Sequence, residues 1–390
     1  MRASLESASG ERMPCAPGTA TLIVGVNWLG DSIMTMPAIQ AWRRAHPTAR
    51  LVMLVKPKLK ALWTLHPAVD EVWALPPGGR ALAAMVRATR AEKLETAFVL
   101  PHSFRSALVP FLARVPRRIG PPGHGRDWML TDVVHPRQGA EREHQCFEYM
   151  AILDVERGNE APWPSSLAEL GQAGRPRLRL TPELTARAKA LLGASAQLGA
   201  SGTNLQSPDR QSSDWIAVMP GATYGPAKRW PAERFAAAGR LLKDRLKCNI
   251  VAIGSAEERA LCAIVAHDAG PGSLNLAGGT TLPELAAVLA QCRLALTNDS
   301  GGMHLATAMG IPVTAVFGIT DPARTGPLGS AARVMQESAN RSRDIRRDSP
   351  EARASLLRIT PEQVAEAAME LIGKCRIQNE ECRKRLQPAD

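Results

Sequence analysis

The chain has 390 residues, a hydrophobic content of 45% and a formal net charge of +11. This length favours two globular domains, and an aromatic content of only 4% argues against a stacking surface for nucleic acid, so we expect no nucleic-acid partner. The positive charge suits an anionic substrate or an anionic membrane surface, and a merely solvated basic surface is the alternative.

Cysteine spacing and hydropathy indicate the compartment. The cysteines are widely spaced without a C-x-x-C pair, which argues against a zinc site or a disulfide framework and fits a reducing cytoplasm. No apolar run approaches the ~18 residues of a membrane span, and the N-terminus lacks the basic head and apolar stretch of a secretory signal. We therefore expect a cytoplasmic protein whose residues 1–20 form a disordered leader.

Strands and helices alternate along the first half, a pattern typical of a parallel sheet with helices on both faces. Residues 21–189 are predicted to form this N-terminal domain. Residues 190–213 are small and polar without a period, which predicts a flexible linker or insertion. The predicted elements are strands 21–26, 51–55, 71–75 and 96–100 and helices 33–45, 81–90 and 106–113.

The alternation returns in residues 214–373 and predicts a second domain of the same α/β class. An Arg- and Ser-rich segment, 336–354, is expected to be an exposed loop. A proline and a capping glutamine begin a last helix at 361–373, and the charged tail 374–390 is expected to fray. The remaining elements are strands 215–219, 249–253, 274–276, 294–298 and 313–317 and helices 232–246, 256–266, 282–291 and 302–309.

Residues 220–231, PGATYGPAKRWP, join a buried strand to a helix. Free backbone N–H groups, a helix N-terminus and the Lys228 ammonium all attract anions, so this turn is suited to hold a phosphate. Thr223 and Tyr224 supply hydroxyl groups beside the lysine. A surface position is the alternative for Lys228, and Trp230 is expected to be a core anchor.

A second polar strand end lies at residues 297–304, TNDSGGMH. Asp299 is predicted to accept hydrogen bonds from sugar hydroxyls, and Ser300 and Gly301 begin a helix whose free N–H groups can bind an anion. His304 lies one turn on, where a histidine bonded to the backbone is the alternative to a ligand contact. Clusters with metal-ligand spacing do not occur, so we expect no obligatory metal.

Acidic residues stand at two further turns. Asp31 falls in the first turn of the first helix, and it is either a capping carboxylate or a general base facing a ligand. The helix dipole is expected to lower its pKa and weaken it as a base. Glu257, or its neighbour Glu258, either complements a helix dipole or holds ribose hydroxyls.

Taken together, these motifs resemble the ADP-heptose:lipopolysaccharide heptosyltransferases of glycosyltransferase family 9, and within them the heptosyltransferase II group. The resemblance covers about residues 21–373. The matching strings are NWLGD at 27–31, LPHSFRSALVP at 100–110, PGATYGPAKRWP at 220–231, GSA at 254–256 and TNDSGGMH at 297–304.

The resemblance implies a GT-B fold, with two Rossmann-like domains facing across a cleft and the last helix packed back on the N-terminal domain. It implies inverting transfer of L-glycero-D-manno-heptose from ADP-heptose to the first heptose of heptosyl-Kdo₂-lipid A, at the inner face of the cytoplasmic membrane. ADP-heptose is the co-substrate, no cofactor is expected to be obligatory, and stimulation by Mg²⁺ is left open. Another family-9 transferase (heptosyltransferase I or III, or one using a different nucleotide sugar) and a non-catalytic GT-B scaffold are the alternatives.

Carried over by motif, the resemblance assigns roles to particular residues. Asp31 matches the catalytic base. The donor-binding residues are Thr223, Tyr224, Lys228, Glu257, Asp299, Ser300, Gly301 and His304. Polar and basic side chains of the N-terminal half are expected to contact the acceptor, namely Lys58, Ser103 and Arg105. Position 302 is glycine where the family commonly has a bulkier residue.

Overall fold

The computed structural model describes residues 20–137, 139, 142–154, 167–198, 215–329, 331–337 and 346–386. Its framework is two six-stranded sheets whose strands all run parallel. Numbered along the chain within each sheet, both have the strand order 3-2-1-4-5-6, which is that of Rossmann folds. Except for Ala20, the predicted leader lies outside the described residues.

The first sheet and its helices occupy the N-terminal half. Its strands are β1 (Ala20–Val24), β2 (Arg50–Val55), β3 (Glu71–Ala74), β4 (Thr96–Val99), β5 (Arg117–Gly120) and β6 (Asp132–Val133). Its helices are α1 (Leu29–Ala45), α2 (Pro57–Trp63), α3 (Gly79–Ala91), α4 (Phe104–Leu112), α5 (Cys146–Leu153), α6 (Leu167–Leu170) and α7 (Pro182–Leu198). The sequence analysis anticipated the first four strands and their crossover helices, but not α2, β5, β6 or α5 to α7.

The second sheet repeats this plan. Its strands are β7 (Trp215–Met219), β8 (Asn249–Ala252), β9 (Leu274–Asn275), β10 (Cys292–Asn298), β11 (Val313–Phe317) and β12 (Ala332–Gln336). Its helices are α8 (Ala232–Leu246), α9 (Arg259–Asp268), α10 (Leu282–Ala290), α11 (Gly301–Ala308), α12 (Pro322–Thr325), α13 (Pro350–Leu357) and α14 (Pro361–Leu386). Strands β7 and β11 are fully buried and mostly apolar because both faces of a parallel sheet are covered by helices.

Helix α7 changes the predicted boundary between the two halves. It continues to Leu198, so residues 190–198 of the predicted linker are helical, and residues 199–214 lie outside the described part. The Ala- and Leu-rich sequence of this stretch favours a helix despite its lack of a clear period. The helix packs on α10 of the second half, where Arg187 Nε lies 3.2 Å from Glu284 Oε1.

Helix α14 also differs from its prediction. It reaches Leu386 instead of ending at 373, and residues 387–390 lie outside the described part. Its apolar stripe, including Val364, Ala368 and Leu371, packs against α8 and the second sheet. Contact of this helix with the N-terminal domain, which the resemblance implied, stays a prediction. The predicted loop 336–354 includes the first turn of α13, and residues 338–345 are not described.

The two halves meet at the carboxyl ends of their central strands. In each sheet the chain order reverses between two neighbouring strands, β1 and β4 in one and β7 and β10 in the other, and such switch points are where open α/β sheets bind ligands. One apolar core cluster continues from α1 and α5 into β7, β10 and α11. None of the described helices is long and apolar enough to cross a lipid bilayer.

Candidate active site

A cleft of about 460 Å³ opens between the two switch points. The start of α1 forms one wall, and the segments after β7, β8 and β10 form the other. All the predicted catalytic and donor-binding residues except Glu257 line it, namely Asp31, Thr223, Tyr224, Lys228, Asp299, Ser300, Gly301 and His304.

Two helix N-termini converge on this cleft. A Cβ atom built on Gly30 would lie 2.9 Å from His304 Cδ2, and one built on Gly301 would lie 3.0 Å from Leu29 Cβ. Only glycine therefore lets the first turns of α1 and α11 approach this closely without displacing a neighbour. Because the partial positive charge of a helix dipole lies at its N-terminus, both helices favour an anion here.

Lys228 and Asp299 form an ion pair inside the cleft. Lys228 Nζ lies 2.5 Å from Asp299 Oδ2, and Thr320 Oγ1 donates to the same oxygen at 2.9 Å. No hydrogen bond from a described residue reaches the other oxygen, Oδ1. The lysine is therefore held in place before any ligand arrives, and the aspartate retains an oxygen that can accept from a hydroxyl group.

Asn298 fixes the turn that carries Lys228. Its buried side chain donates to the Pro220 carbonyl at 2.8 Å and accepts from the Trp230 backbone N–H at 2.9 Å, so one residue of β10 joins both ends of the 220–230 loop. The Trp230 indole is buried and donates to the Ile359 carbonyl at 3.2 Å, as expected for a core anchor. The loop that carries Lys228 is therefore anchored at both ends by hydrogen bonds.

Asp31 lies in the first turn of α1, half-buried, with its side chain on the cleft. None of the described residues forms a hydrogen bond with its carboxylate, so it does not cap the helix as one interpretation held. Burial raises the pKa of this carboxyl from its ordinary 3.8 to about 6, the Lys228 charge lowers it in part, and the charges of Glu148 and Asp299 raise it further. The expected lowering of this pKa is not what the structure shows, because desolvation by burial has the largest effect on the carboxyl.

His304 is buried against the start of α1. Burial lowers its pKa to about 3, with smaller effects from His144 and Lys228, so the imidazole is neutral. Its Nδ1 atom is buried without a hydrogen-bond partner among the described residues. The sequence left open a histidine bonded to the backbone, and the structure shows no such bond within the part of the chain that it describes. The neutral ring can instead form a hydrogen bond with a ligand without adding charge to the cleft.

Glu258, and not Glu257, lines the cleft. Glu257 is exposed on the far side of a short 3₁₀ turn, because successive side chains on such a turn point about 120° apart. Glu258 closes a capping box with Ser255, whose N–H donates to Oε2 at 2.9 Å. A Cβ built on Gly221 would lie 2.0 Å from its carboxyl carbon, so the carboxylate sits directly on the phosphate loop.

A second cavity of about 440 Å³ borders the cleft. Arg324 of α12 lines the cavity while its neighbour Thr325 lines the cleft, so α12 separates them. On the other wall, His102 Nε2 lies 2.6 Å from Glu148 Oε1, and this hydrogen bond raises the pKa of His102. The charge of Glu148 also acts on Asp31, which places the carboxylate of Asp31 close to both chambers.

The predicted acceptor residues do not line either chamber. Lys58 reaches the rim, where its Nζ lies 4.9 Å from the centroid of the Trp28 ring, and Trp28 lines the cleft. Ser103 is the N-cap residue of α4 and Arg105 lies in its first turn, so both are exposed on the outer side. The loop before α4 instead turns His102 into the second cavity.

Several residues of the site were missed by the sequence analysis. The basic Arg324 and the His102–Glu148 pair come together only because α4, α5 and α12 meet in space. Arg347 was also missed, although its guanidinium carbon lies 5.6 Å from the Tyr224 ring centroid and its carbonyl accepts from the Ala227 N–H at 3.0 Å. Among the residues the structure describes, no cluster of His, Cys, Asp or Glu could hold a metal ion.

Comparisons with known proteins agree with this architecture. Residues 82–354 match the family described as Glycosyltransferase family 9 (heptosyltransferase). The chain is 30% identical over 363 residues to Lipopolysaccharide heptosyltransferase 2 of Escherichia coli K12, covering 88% of this chain and 96% of that protein. It is 29% identical over 368 residues to Lipooligosaccharide heptosyltransferase 2 of Haemophilus influenzae, covering 90% and 99%.

Among solved structures, that of E. coli ADP-heptose lps heptosyltransferase II superposes with a TM-score of 0.71 at 26% identity, covering 92% of this chain and all of that one. A glycosyl transferase family 9 protein of Veillonella parvula superposes with a TM-score of 0.76 at 22% identity, covering 91% and 98%, which shows likeness of fold. The expected GT-B fold is confirmed by these superpositions and by the two facing Rossmann-like sheets.

Proposed function

From the fact that this chain belongs to glycosyltransferase family 9, the heptosyltransferases, we propose that it transfers heptose from ADP-L-glycero-D-manno-heptose to the first heptose of heptosyl-Kdo₂-lipid A, with inversion. The reaction belongs to lipopolysaccharide inner-core synthesis. The observation that carries the proposal is the placement of the Asp31 carboxylate opposite Lys228 in one cleft.

The second half holds the donor. Its diphosphate lies at the N-terminus of α11 and on the 220–228 turn, where Lys228 and free N–H groups supply positive charge. The open oxygen of Asp299 accepts from a heptose hydroxyl, and Glu258 accepts from the ribose. As the glycosidic C–O bond breaks, these fixed donors stabilise the charge that develops on ADP, which is the largest contribution expected from such a site.

Asp31 acts as the general base. With a pKa of about 6 it is mostly ionised at neutral pH, and it is a stronger base than an ordinary aspartate because burial disfavours its charge. It takes the proton of the acceptor hydroxyl as that oxygen attacks the anomeric carbon on the face opposite the leaving ADP. The neutral His304 ring packs against Gly30, the residue before Asp31.

The acceptor occupies the second cavity. Arg324, which is buried on its wall, is a group that attracts the carboxylates and phosphates of the lipid-linked core. This assignment replaces Ser103 and Arg105, and it leaves Lys58 at the rim. The arrangement brings the acceptor hydroxyl to Asp31, where the cavity and the cleft meet.

The reaction as proposed has no obligatory metal, because Lys228 and two helix N-termini supply the charge that a metal would otherwise supply. The protein acts in the cytoplasm, peripherally on the inner face of the membrane that carries its acceptor. Removal of divalent ions with EDTA is expected to leave at least about half of the rate, and abolition of transfer that Mg²⁺ restores would contradict metal independence.

The test is mass detection of one added heptose on purified heptosyl-Kdo₂-lipid A. Wild-type protein is expected to modify this acceptor with ADP-heptose, and not Kdo₂-lipid A with ADP-heptose or the same acceptor with ADP-glucose. Lys228→Ala is expected to lower kcat/KM ~10²–10³-fold through loss of leaving-group stabilisation, whereas Lys228→Arg keeps the charge and loses less. Transfer to Kdo₂-lipid A instead would assign the protein to the first heptose addition.

A further inference from the structure

Large apolar side chains are exposed together on the outer face of the N-terminal half. Phe104 and Leu112 of α4 are each 42% exposed, and Trp128 of the adjacent 3₁₀ turn is 63% exposed. The Phe104 and Trp128 ring centroids are 6.4 Å apart, and the Trp128 and Phe111 centroids are 5.0 Å apart. We call these four residues the α4 patch.

The Trp128 ring is held with its polar atom satisfied and its apolar surface in solvent. Its Nε1 donates to the Gly125 carbonyl at 2.9 Å, so the indole is fixed in this outward position. An amphipathic ring whose N–H is paired and whose face is open is typical of residues that insert at the boundary between water and lipid.

Arginines border the patch. Arg90 Nη2 donates to the Leu112 carbonyl at 2.6 Å, and the Arg118 guanidinium carbon lies 5.7 Å from the Phe111 ring centroid. Arg105 follows Phe104 in the first turn of α4, and Arg114 follows the end of that helix, both exposed. An apolar centre with a cationic border complements a surface that is apolar below and anionic above, which is the structure of a bilayer with acidic headgroups.

The patch lies beside the mouth of the second cavity. His102 and Pro121 line that cavity, and the chain reaches the patch within two residues of His102. Buried Arg126 joins the two regions, since its guanidinium donates to Ser106 Oγ and to the Pro121 carbonyl, each at 2.7 Å, and also to the Pro101 carbonyl. Arg126 therefore connects the segment that carries Phe104 to the wall of the second cavity by hydrogen bonds.

We propose that the α4 patch and its arginines seat the protein on an anionic lipid bilayer. The inference rests on the proposed function, because a lipid-anchored acceptor would then enter the second cavity from the surface on which the protein lies. Neither the description of the family nor those of the relatives identify this contact surface.

The test separates lipid binding from catalysis. Wild-type protein and the double variant Phe104→Ser/Trp128→Ser are sedimented with phosphatidylcholine vesicles that contain either no anionic lipid or about 30 mol% phosphatidylglycerol. Wild-type protein is expected to bind the anionic vesicles, less so at high salt, and the double variant is expected to bind at least ~10-fold more weakly. Leu357→Ser, which removes a side chain of equal exposure from α13 in the other half, is the matched control and is expected to bind as wild type.

Transfer is measured in parallel on vesicle-embedded acceptor and on deacylated, water-soluble acceptor. The double variant is expected to lose rate on the first and to keep it on the second, which also shows that it folds. Unchanged vesicle binding by the double variant would overturn the proposal. If the double variant then also differed from wild type in oligomeric state, the α4 patch would be a contact between two copies of the chain. Absence of transfer by wild-type protein would refute the proposed function. The vesicle assay would still test whether the α4 patch is the lipid-contact surface.

Discussion

Replacing Asp31 by asparagine is expected to inactivate the protein and stabilise it at the same time. The amide cannot accept the acceptor's proton, so kcat should fall ~10²–10⁴-fold. The same change removes a charge that the half-buried site disfavours, since burial is the largest cause of the raised pKa of Asp31. A loss of activity caused by misfolding would lower stability instead.

The stability gain follows from the pKa shift. The carboxyl titrates near 3.8 when unfolded and near 6 when folded, so between these pH values the folded state binds more protons and the wild-type free energy of unfolding falls as pH rises. Two pKa units correspond to about 3 kcal/mol, and partial solvent access reduces this to about 1–3 kcal/mol above pH 6. The advantage of Asp31→Asn is therefore full at pH 8 and absent near pH 4.

Thermal unfolding of both proteins at pH 4.5 and pH 8, with Asp348→Asn as an exposed control, measures this difference. We expect the melting temperature of Asp31→Asn to exceed that of wild type by a few degrees at pH 8 and by about one degree or less at pH 4.5. In wild type, kcat/KM should fall tenfold per pH unit below about 6, as the base becomes protonated. A variant no more stable at pH 8, together with a flat rate profile between pH 5 and 8, would refute the reasoning.

Three further changes test the architecture around this base. Asn298→Ala should lower the free energy of unfolding by about 2–4 kcal/mol, because two buried backbone groups lose their partners. A loss of less than about 0.5 kcal/mol in denaturant unfolding would count against this role. Gly30→Ala should cost about 1–3 kcal/mol by forcing His304 away, seen as a lower melting temperature, and an unchanged value would mean that the two helix starts are not in contact. Glu258→Gln should raise KM for ADP-heptose about tenfold in initial-rate assays while Glu257→Gln leaves it unchanged, and equal effects would contradict the assigned orientation.

Much of the fold was predictable because its determinants are local. The continuous apolar runs at β7 and β11 predicted their strands with matching bounds, and the capped sequence beginning at Pro361 predicted where α14 starts. The short elements β5, β6 and α12 escaped prediction, since two to four residues contain too few periods to distinguish a strand or a helix from a loop.

The motifs after β7 and β10 predicted an anion-binding site, and the residues they named, Glu257 excepted, line the cleft. This was possible because a strand end, a glycine turn and a helix start are formed by consecutive residues. Other properties arise only when distant segments meet. The raised pKa of Asp31 depends on its burial in the cleft and on the charge of Glu148, and the second cavity depends on Arg324 of α12 lining the same space as His102. Dielectric environment and cavity shape are sums over neighbours that lie far apart along the chain, and tertiary packing alone decides them.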